Sequence, residues 1–417
     1  MVYDKGSASP LEIARGLDGL GTFQFVAPDS PHVREMMPLL RRWGDVTALD
    51  DALRWTVDSL DRHPDAVLTF SEMMVTHAAR LSFAFGLPGH STECGRALTD
   101  KREQRRLLRD AGVDVIRFHV IADPSELGAA VIDVGLPVIV KPVRGEGSRN
   151  TVAIERPDQV DEVEAEKDLW SPGESLIVEE LLQGRVSDRI GDYVSVESLV
   201  YDGVARHLPI TGKFPLVTPF RETGQFWPAL LEPGEAGRIE ELTSAALRSL
   251  GVRWGICHTE IKLTQSGPRI IEVNGRLGGH IAEMAHRSAG LDLIRCAALL
   301  ALGVEPDVGP ISLEQVYFQY HNPAPLYRCV LEGVHGAREV MGTPGVDSYQ
   351  QRVRTGTLLG TGVGTVLLDA SYGRAGNHEE MTGLVDRIAG QLRFSFGVTG
   401  DCGGLEQRVV TGRELVT

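Results

Sequence analysis

The chain has 417 residues, of which 42% are hydrophobic and 24% charged, and it carries a formal net charge of −15. Such a length and apolar content supply core for two to four structural units, and no apolar run approaches the roughly 18 residues that a bilayer span needs. The acidic balance argues against a nucleic-acid partner, whose phosphates call for a basic face, yet a small anion can still bind in a local basic pocket.

The N-terminal stretch MVYDKGSASPLEIARG has no basic n-region and no apolar h-region, so no secretory signal is expected. FQFVA (Phe23 to Ala27) predicts a strand and Pro31 to Arg42 a helix. AVLTF (Ala66 to Phe70) predicts a second strand, and SEMMVTHAARLSFAFG an amphipathic helix closed by Gly86. This alternation favours a parallel α/β layer. Asp100 to Gly112 predicts a helix rich in Arg and Leu. From Val115 to Gly203 the pattern changes to short apolar strands, LPVIVKP, TVAIE and SLIVEELL, with the helix PDQVDEVEAEKDLW before the last. That is the pattern of a smaller α+β unit. From Val204 onward come a long hairpin, a helix from about His280 to Leu302, and a β-rich tail. RVRTGTLLGTGVGTVLLDAS has strand character there, and HEEMTGLVDRIAGQLRFSFG predicts a closing helix and strand. The cysteines Cys94, Cys257, Cys296, Cys329 and Cys402 form no C-x-x-C pair, so neither zinc nor a disulfide framework is expected, and a reducing cytoplasm is the expected location.

The stretch GICHTEIKLTQSGPRIIEVNGRLGG (Gly255 to Gly279) holds two strand-like runs about the turn Gln265-Ser266-Gly267. Folded symmetrically about Ser266, it places Glu260 opposite Glu272 and His258 opposite Asn274. Opposed residues have Cβ atoms roughly 4.5–5.5 Å apart. His258, Glu260, Lys262, Glu272, Asn274 and Arg276 then share one face, and Ile261, Leu263, Ile271 and Val273 the other. Two opposed carboxylates repel unless a cation joins them, and two Glu with one Asn amide form an oxygen set suited to Mg²⁺. The alternative is a solvated face on which Lys262 and Arg276 neutralise the acids.

LPVIVKPVRGEGSRNTVAIE places Lys141 at the end of an apolar run, before a loop with Gly145, Gly147 and Ser148. Glycines let backbone N–H groups close on an anion, and Ser148 adds a donor. A strand follows in place of a helix, so this is neither a Walker loop nor a dinucleotide fingerprint. An ordinary hairpin turn fits the same residues. SLIVEELLQG can offer backbone groups to an adenine edge while Leu182 packs on the ring, or can be a strand end with surface acids.

Taken in order, Lys101, Lys141, the Gly/Ser loop, the Glu-Glu-Leu-Leu segment and the Glu/Glu/Asn hairpin ending in Arg resemble the ATP-grasp superfamily over about Ala66 to Gly397. The resemblance implies an α/β and α+β multidomain protein with an ATP-grasp fold and an N-terminal Rossmann-like (pre-ATP-grasp) domain. Its units would be residues 1–114, a central lid subdomain at 115–203, and a C-terminal subdomain at 204–417. It implies ATP held by Lys101, Lys141, Gly147, Ser148, Glu179, Glu180, Leu182 and Glu197, the last near the ribose or phosphates. It implies Mg²⁺, with Mn²⁺ as a substitute, on Glu260, Glu272 and Asn274, and Arg276 facing the transferred phosphoryl group. The implied reaction activates a small carboxylate as an acyl phosphate and couples it to an amine.

PFRETGQFWPALL resembles a substrate-side segment of the amino-acid ligase subgroup, in which Glu-Thr-x-His precedes a Pro. Glu222 and Thr223 match, and Glu222 would pair with a substrate ammonium, while Gln225 stands where that subgroup has His. Amino acids are thus the expected carboxylate and amine, with a homodimer expected by analogy. A biotin-carboxylase-like subunit, a purine-pathway ligase and a non-catalytic nucleotide binder are the alternatives.

Overall fold

The computed structural model describes residues 1–50, 57, 60, 63–166, 169–170, 173–185, 187, 189–360, 365–399 and 405–416. Ser30 accepts the Val33 N–H and Pro31 sets the first turn, which starts the helix Pro31–Trp43. This helix connects the parallel strands Phe23–Ala27 and Gly44–Ala48. The strand expected at Ala66–Phe70 is absent. That segment has Val67 and Phe70 buried, and it accepts isolated backbone bonds from the N-terminus, Val2 N to Leu68 O at 3.0 Å and Ser7 N to Phe70 O at 2.8 Å. Its apolar run marked burial correctly. A ladder also needs a partner in regular register, which a local pattern does not encode. The following helix runs Val75–Phe85 and ends at Gly86, φ 64°.

The helix Lys101–Asp110 begins where Asp100 accepts the Glu103 N–H. Beyond it lies a four-stranded antiparallel sheet in the order Phe118–Ile121, Leu176–Glu180, Val138–Pro142, Val152–Ile154. The helices Leu127–Val134 and Val160–Ala165 share its core. Residues 167–168 of the expected lid helix lie outside the described residues.

A nine-stranded sheet makes up the largest layer. Its path runs Gly267–Asn274, Gly255–Thr264, Tyr193–Tyr201, Thr211–Lys213, Gly224–Trp227, Val316–Tyr320, Asp369–Ala375, Val346–Gln351, with Val204–His207 paired beside Tyr193–Tyr201. Tyr193–Tyr201 is therefore hydrogen-bonded into this sheet and not into the 118–180 sheet, with which a boundary at residue 203 grouped it. Its sequence YVSVESLVY reads as a strand but is equally compatible with either sheet.

Two further expectations need correction. The helix expected from His280 to Leu302 is two helices, Ile281–Ala289 and Leu293–Ala301. Gly290 at φ 65° ends the first, and Asp292 caps the second through Arg295 N–H. Of the expected strand over 352–371, only Leu358–Leu359 and the start of Asp369–Ala375 are strand, and 361–364 lie outside the described residues. The tail's own sheet is Leu358–Leu359, Cys329–His335, Arg393–Thr399 and Leu405–Thr411. Its helix His378–Gln391 and strand Arg393–Thr399 fall where expected, followed by one more strand. Among the described residues, no helix is long and apolar enough to cross a membrane.

Candidate active site

Glu260 faces Glu272 and His258 faces Asn274, as symmetry about Ser266 required. The route to that register differs. The turn is the two residues Gln265-Ser266, with Thr264 opposite Gly267, and a bulge after Glu260 leaves Ile261 opposite Ile270. A turn one residue shorter and a strand one residue longer cancel. The bulge moves one core position: Ile261, Leu263, Ile270 and Val273 are buried, while Ile271 is half-buried.

The hairpin's outer strand is covered by the helix Lys101–Asp110. Lys101, Gln104, Arg105 and Leu108 form its buried face, the i, i+3, i+4, i+7 spacing of one helix side. Gln104 exchanges two bonds of 2.8 Å with the Val273 backbone. Arg105 donates to Ile270 O at 3.0 Å and Ile271 O at 2.6 Å. These side chains satisfy the edge that a strand would otherwise expose. They also deliver the helix's first residue to the hairpin: Lys101 Nζ lies 3.1 Å from Glu272 Oε1 and donates to Gly145 O at 3.0 Å.

Lys141 is buried and pairs with Glu179 at 2.8 Å. Burial pulls its ammonium down, and Glu179 opposes that. Glu179 also takes both forks of Arg105, at 2.7 and 3.1 Å. Burial alone would raise this carboxyl, but the charges of Arg105 and Lys141 hold it well below the usual carboxylate range. Its side chain is thus the counter-ion of two buried cations, and only the backbone of this segment is left to face an adenine edge. Glu180 pairs with Arg117 at 3.0 Å and with Arg269 at 3.5 Å, and Leu182 is half-buried just past the strand end. Glu197 is likewise engaged within the protein, against His258 and the Gly278 N–H.

The Gly/Ser loop takes left-handed backbone at Gly147 (φ 66°), Ser148 (φ 55°) and Asn150 (φ 51°). Such a run aims successive N–H groups to one side. Glu146 in the same loop reaches Arg276 Nη2 at 3.5 Å. Arg276 Nε lies 3.1 Å from Glu72 Oε2. Glu72, only 3% exposed, belongs to this cluster although it was not among the expected site residues, and its Oε1 has no hydrogen-bond partner among the described residues. Burial raises its carboxyl to about 7 against the pull of Arg276. The signal was present: Glu72 precedes Val75 and Ala79 by three and seven residues, on the face they bury.

Lys213 was also passed over as a site residue. It is 3% exposed and lies 2.9 Å from Gln225 Oε1 and 3.5 Å from Glu222 Oε1. Tyr193 OH donates to Glu222 at 3.4 Å. Gln225 Nε2 donates to Gly279 O at 3.0 Å and Gln319 Oε1 at 3.3 Å. Both ends of that amide are occupied, so it ties Lys213 to the Gly279 backbone, and unlike a His it has no titratable proton.

The donor set can be tested for a divalent cation. The Asn274 amide meets Glu272 Oε1 at 3.3 Å and Glu72 Oε2 at 3.0 Å. Nitrogen at that position donates to both; oxygen there requires a cation among the oxygens. Among the described residues, no three His, Cys, Asp or Glu side chains gather as a self-sufficient metal site. Two carboxylates and an amide form an incomplete oxygen set, the kind that Mg²⁺ completes with phosphate and water. The residues present fit that cation.

Residues 134–284 match the family described as ATP-grasp domain. The match contains every expected site residue except Lys101. The alanine–anticapsin ligase of Bacillus subtilis (strain 168) is 27% identical over 269 residues, 60% of this chain and 57% of that protein. An L-arginine-specific L-amino acid ligase of Bacillus subtilis is 25% identical over 299 residues, 67% of this chain and 70% of that protein. The chain spans about half the length of some curated relatives, 48% in one case. The crystal structure of an L-amino acid ligase from Bacillus licheniformis superposes with a TM-score of 0.76 at 20% identity, covering 94% of this chain and 97% of that one. The matched segment and the superposition agree: residues 134–284 are an ATP-grasp domain, and the chain that carries them has the ATP-grasp fold.

Proposed function

We propose that the protein is an ADP-forming ligase that phosphorylates the carboxylate of an amino acid and couples the acyl phosphate to the amine of a second. The carrying observation is the opposition of Glu260 and Glu272 beside Asn274, with Lys101 and Arg276 in the same constellation. Lys101 and Lys141 bind phosphate oxygens, and the backbone N–H groups of 147–150 close over them. Glu260, Glu272 and Asn274 hold Mg²⁺, which when bound spreads the negative charge of the triphosphate. Arg276 orients the transferred phosphoryl group, and Glu222 pairs with a substrate ammonium. The acyl phosphate is labile to water, so the 118–180 sheet serves as its cover.

The test is ADP release across a panel of amino acids and bicarbonate, with mass spectrometry of the product. A product equal to two amino acids less water is expected. ADP formed with bicarbonate alone rejects this reading, and no ADP with any acceptor rejects a ligase and favours a non-catalytic nucleotide binder.

Glu146 adds a second expectation. Its carboxylate occupies the anion side of Arg276, where the triphosphate must compete with it. Glu146→Gln removes that competitor, so the KM for ATP is expected to fall roughly 2- to 5-fold, the scale of one partly exposed ion pair. An unchanged or higher KM in steady-state assays contradicts this.

A further inference from the structure

Two buried side chains behind the hairpin acids have no part in the reaction above. Glu197 is 0% exposed, and its register partner on the next strand is His258. One Glu197 oxygen meets His258 Nδ1, and the other accepts the Gly278 N–H at 3.1 Å. The far ring nitrogen, Nε2, lies 3.2 Å from Glu260 Oε1. Gly278 has to be glycine here, because a Cβ would come within 2.4 Å of His258 Nδ1 and 2.8 Å of Glu197 Oε1. A continuous chain of contacts therefore runs from Gly278 N–H through Glu197 and His258 to Glu260.

The two ends of this chain differ. Glu197 is sealed, whereas the Glu260 side chain is 28% exposed. Both imidazole nitrogens face carboxylate oxygens. A ring bonded at both ends cannot rotate, and it fixes Glu260 through Oε1. Oε2 has no hydrogen bond among the described residues.

We propose that His258, anchored by Glu197, is a positioning residue that holds the Glu260 carboxylate so that its free oxygen serves a divalent cation. This rests on the assignment of Glu260 as a cation ligand made under the proposed function. Partners that orient a metal ligand commonly contribute 10- to 100-fold in affinity.

Two near-isosteres separate the two contacts. In His258→Gln the amide nitrogen replaces Nε2 and keeps the bond to Glu260. In His258→Asn it replaces Nδ1 and keeps only the bond to Glu197. Mn²⁺ binding at saturating ADP, read from the electron paramagnetic resonance signal of free Mn²⁺, requires no turnover. His258→Gln is expected to bind close to the unaltered protein and His258→Asn about 10- to 100-fold more weakly. A purely structural role predicts the opposite order, because Asn preserves the more deeply buried contact. Equal affinities in the two variants, kept or lost together, or the reversed order, overturn the proposal. Glu260→Gln distinguishes the two levels. Undiminished Mn²⁺ affinity in that variant defeats the cation assignment itself. Lost affinity there, with affinity intact in His258→Asn, defeats only the role of His258.

Discussion

Glu272→Gln is expected to lower turnover by on the order of 10³-fold or more while leaving the fold intact. The side chain sits on the strand covered by the Lys101–Asp110 helix, and its oxygen contacts Lys101 Nζ at 3.1 Å. Gln preserves shape and one acceptor oxygen but removes the negative charge that faces Asn274 and Glu260. Two effects add at the site: a cation loses one of its two carboxylates, and Lys101 loses its counter-ion and with it a fixed place for its ammonium. Neither removes buried apolar contact, so the thermal midpoint is expected to move little. Phosphate release at saturating ATP and Mg²⁺ measures the first effect, and differential scanning calorimetry the second. A fully active Glu272→Gln protein would mean that the opposed pair has no catalytic part.

Glu179→Leu is expected to act on stability in the way that Glu272→Gln does not. It leaves Arg105 and Lys141 buried with no counter-ion, at a cost of about 3–5 kcal/mol. Arg105 also bonds the hairpin carbonyls of Ile270 and Ile271, so the loss spreads to the covered strand edge. Urea unfolding should show a lower midpoint with little change in slope. A pH dependence follows with a definite sign. Burial would raise the Glu179 carboxyl, but Arg105 and Lys141 overcome this and lower it from its ordinary 4.5 to about 2. A depressed acid contributes stability that is fully present above its unfolded value and is lost as pH falls toward the folded one. The unaltered protein should therefore lose this contribution between about pH 4.5 and 2, and Glu179→Leu should lack that part of the acid transition. Equal stability of the two proteins at neutral pH would refute the buried triad as a stabilising unit.

Several elements could be read locally because their causes are local. Asp100 ahead of a polar-apolar helix, Gly86 after an amphipathic run, and two alternating runs about Gln265-Ser266 each carry their own capping or turn chemistry. The facing of Glu260 and Glu272 was legible for a partly accidental reason, since the short turn and the bulge offset each other. Lys141 was legible as a cation at the end of a buried strand, but its partner Glu179 was read as part of the adenine edge. A pattern reports burial, and the identity of a charge's partner lies on another strand.

The amino-acid sequence by itself determined the helix caps and the hairpin's polar face, because each depends on residues a few positions apart, and the chain order of lysines, glycines and acids that points to the ATP-grasp fold, because that order needs no contact to be read. Only the tertiary structure decided that Tyr193–Tyr201 joins the nine-stranded sheet, that Glu72 and Glu146 converge on Arg276, and that Glu197 holds His258 against Glu260. Those contacts join residues tens to hundreds of positions apart. Electrostatic attraction sets them only after packing has removed the water between the partners, and no local periodicity records which surfaces will meet.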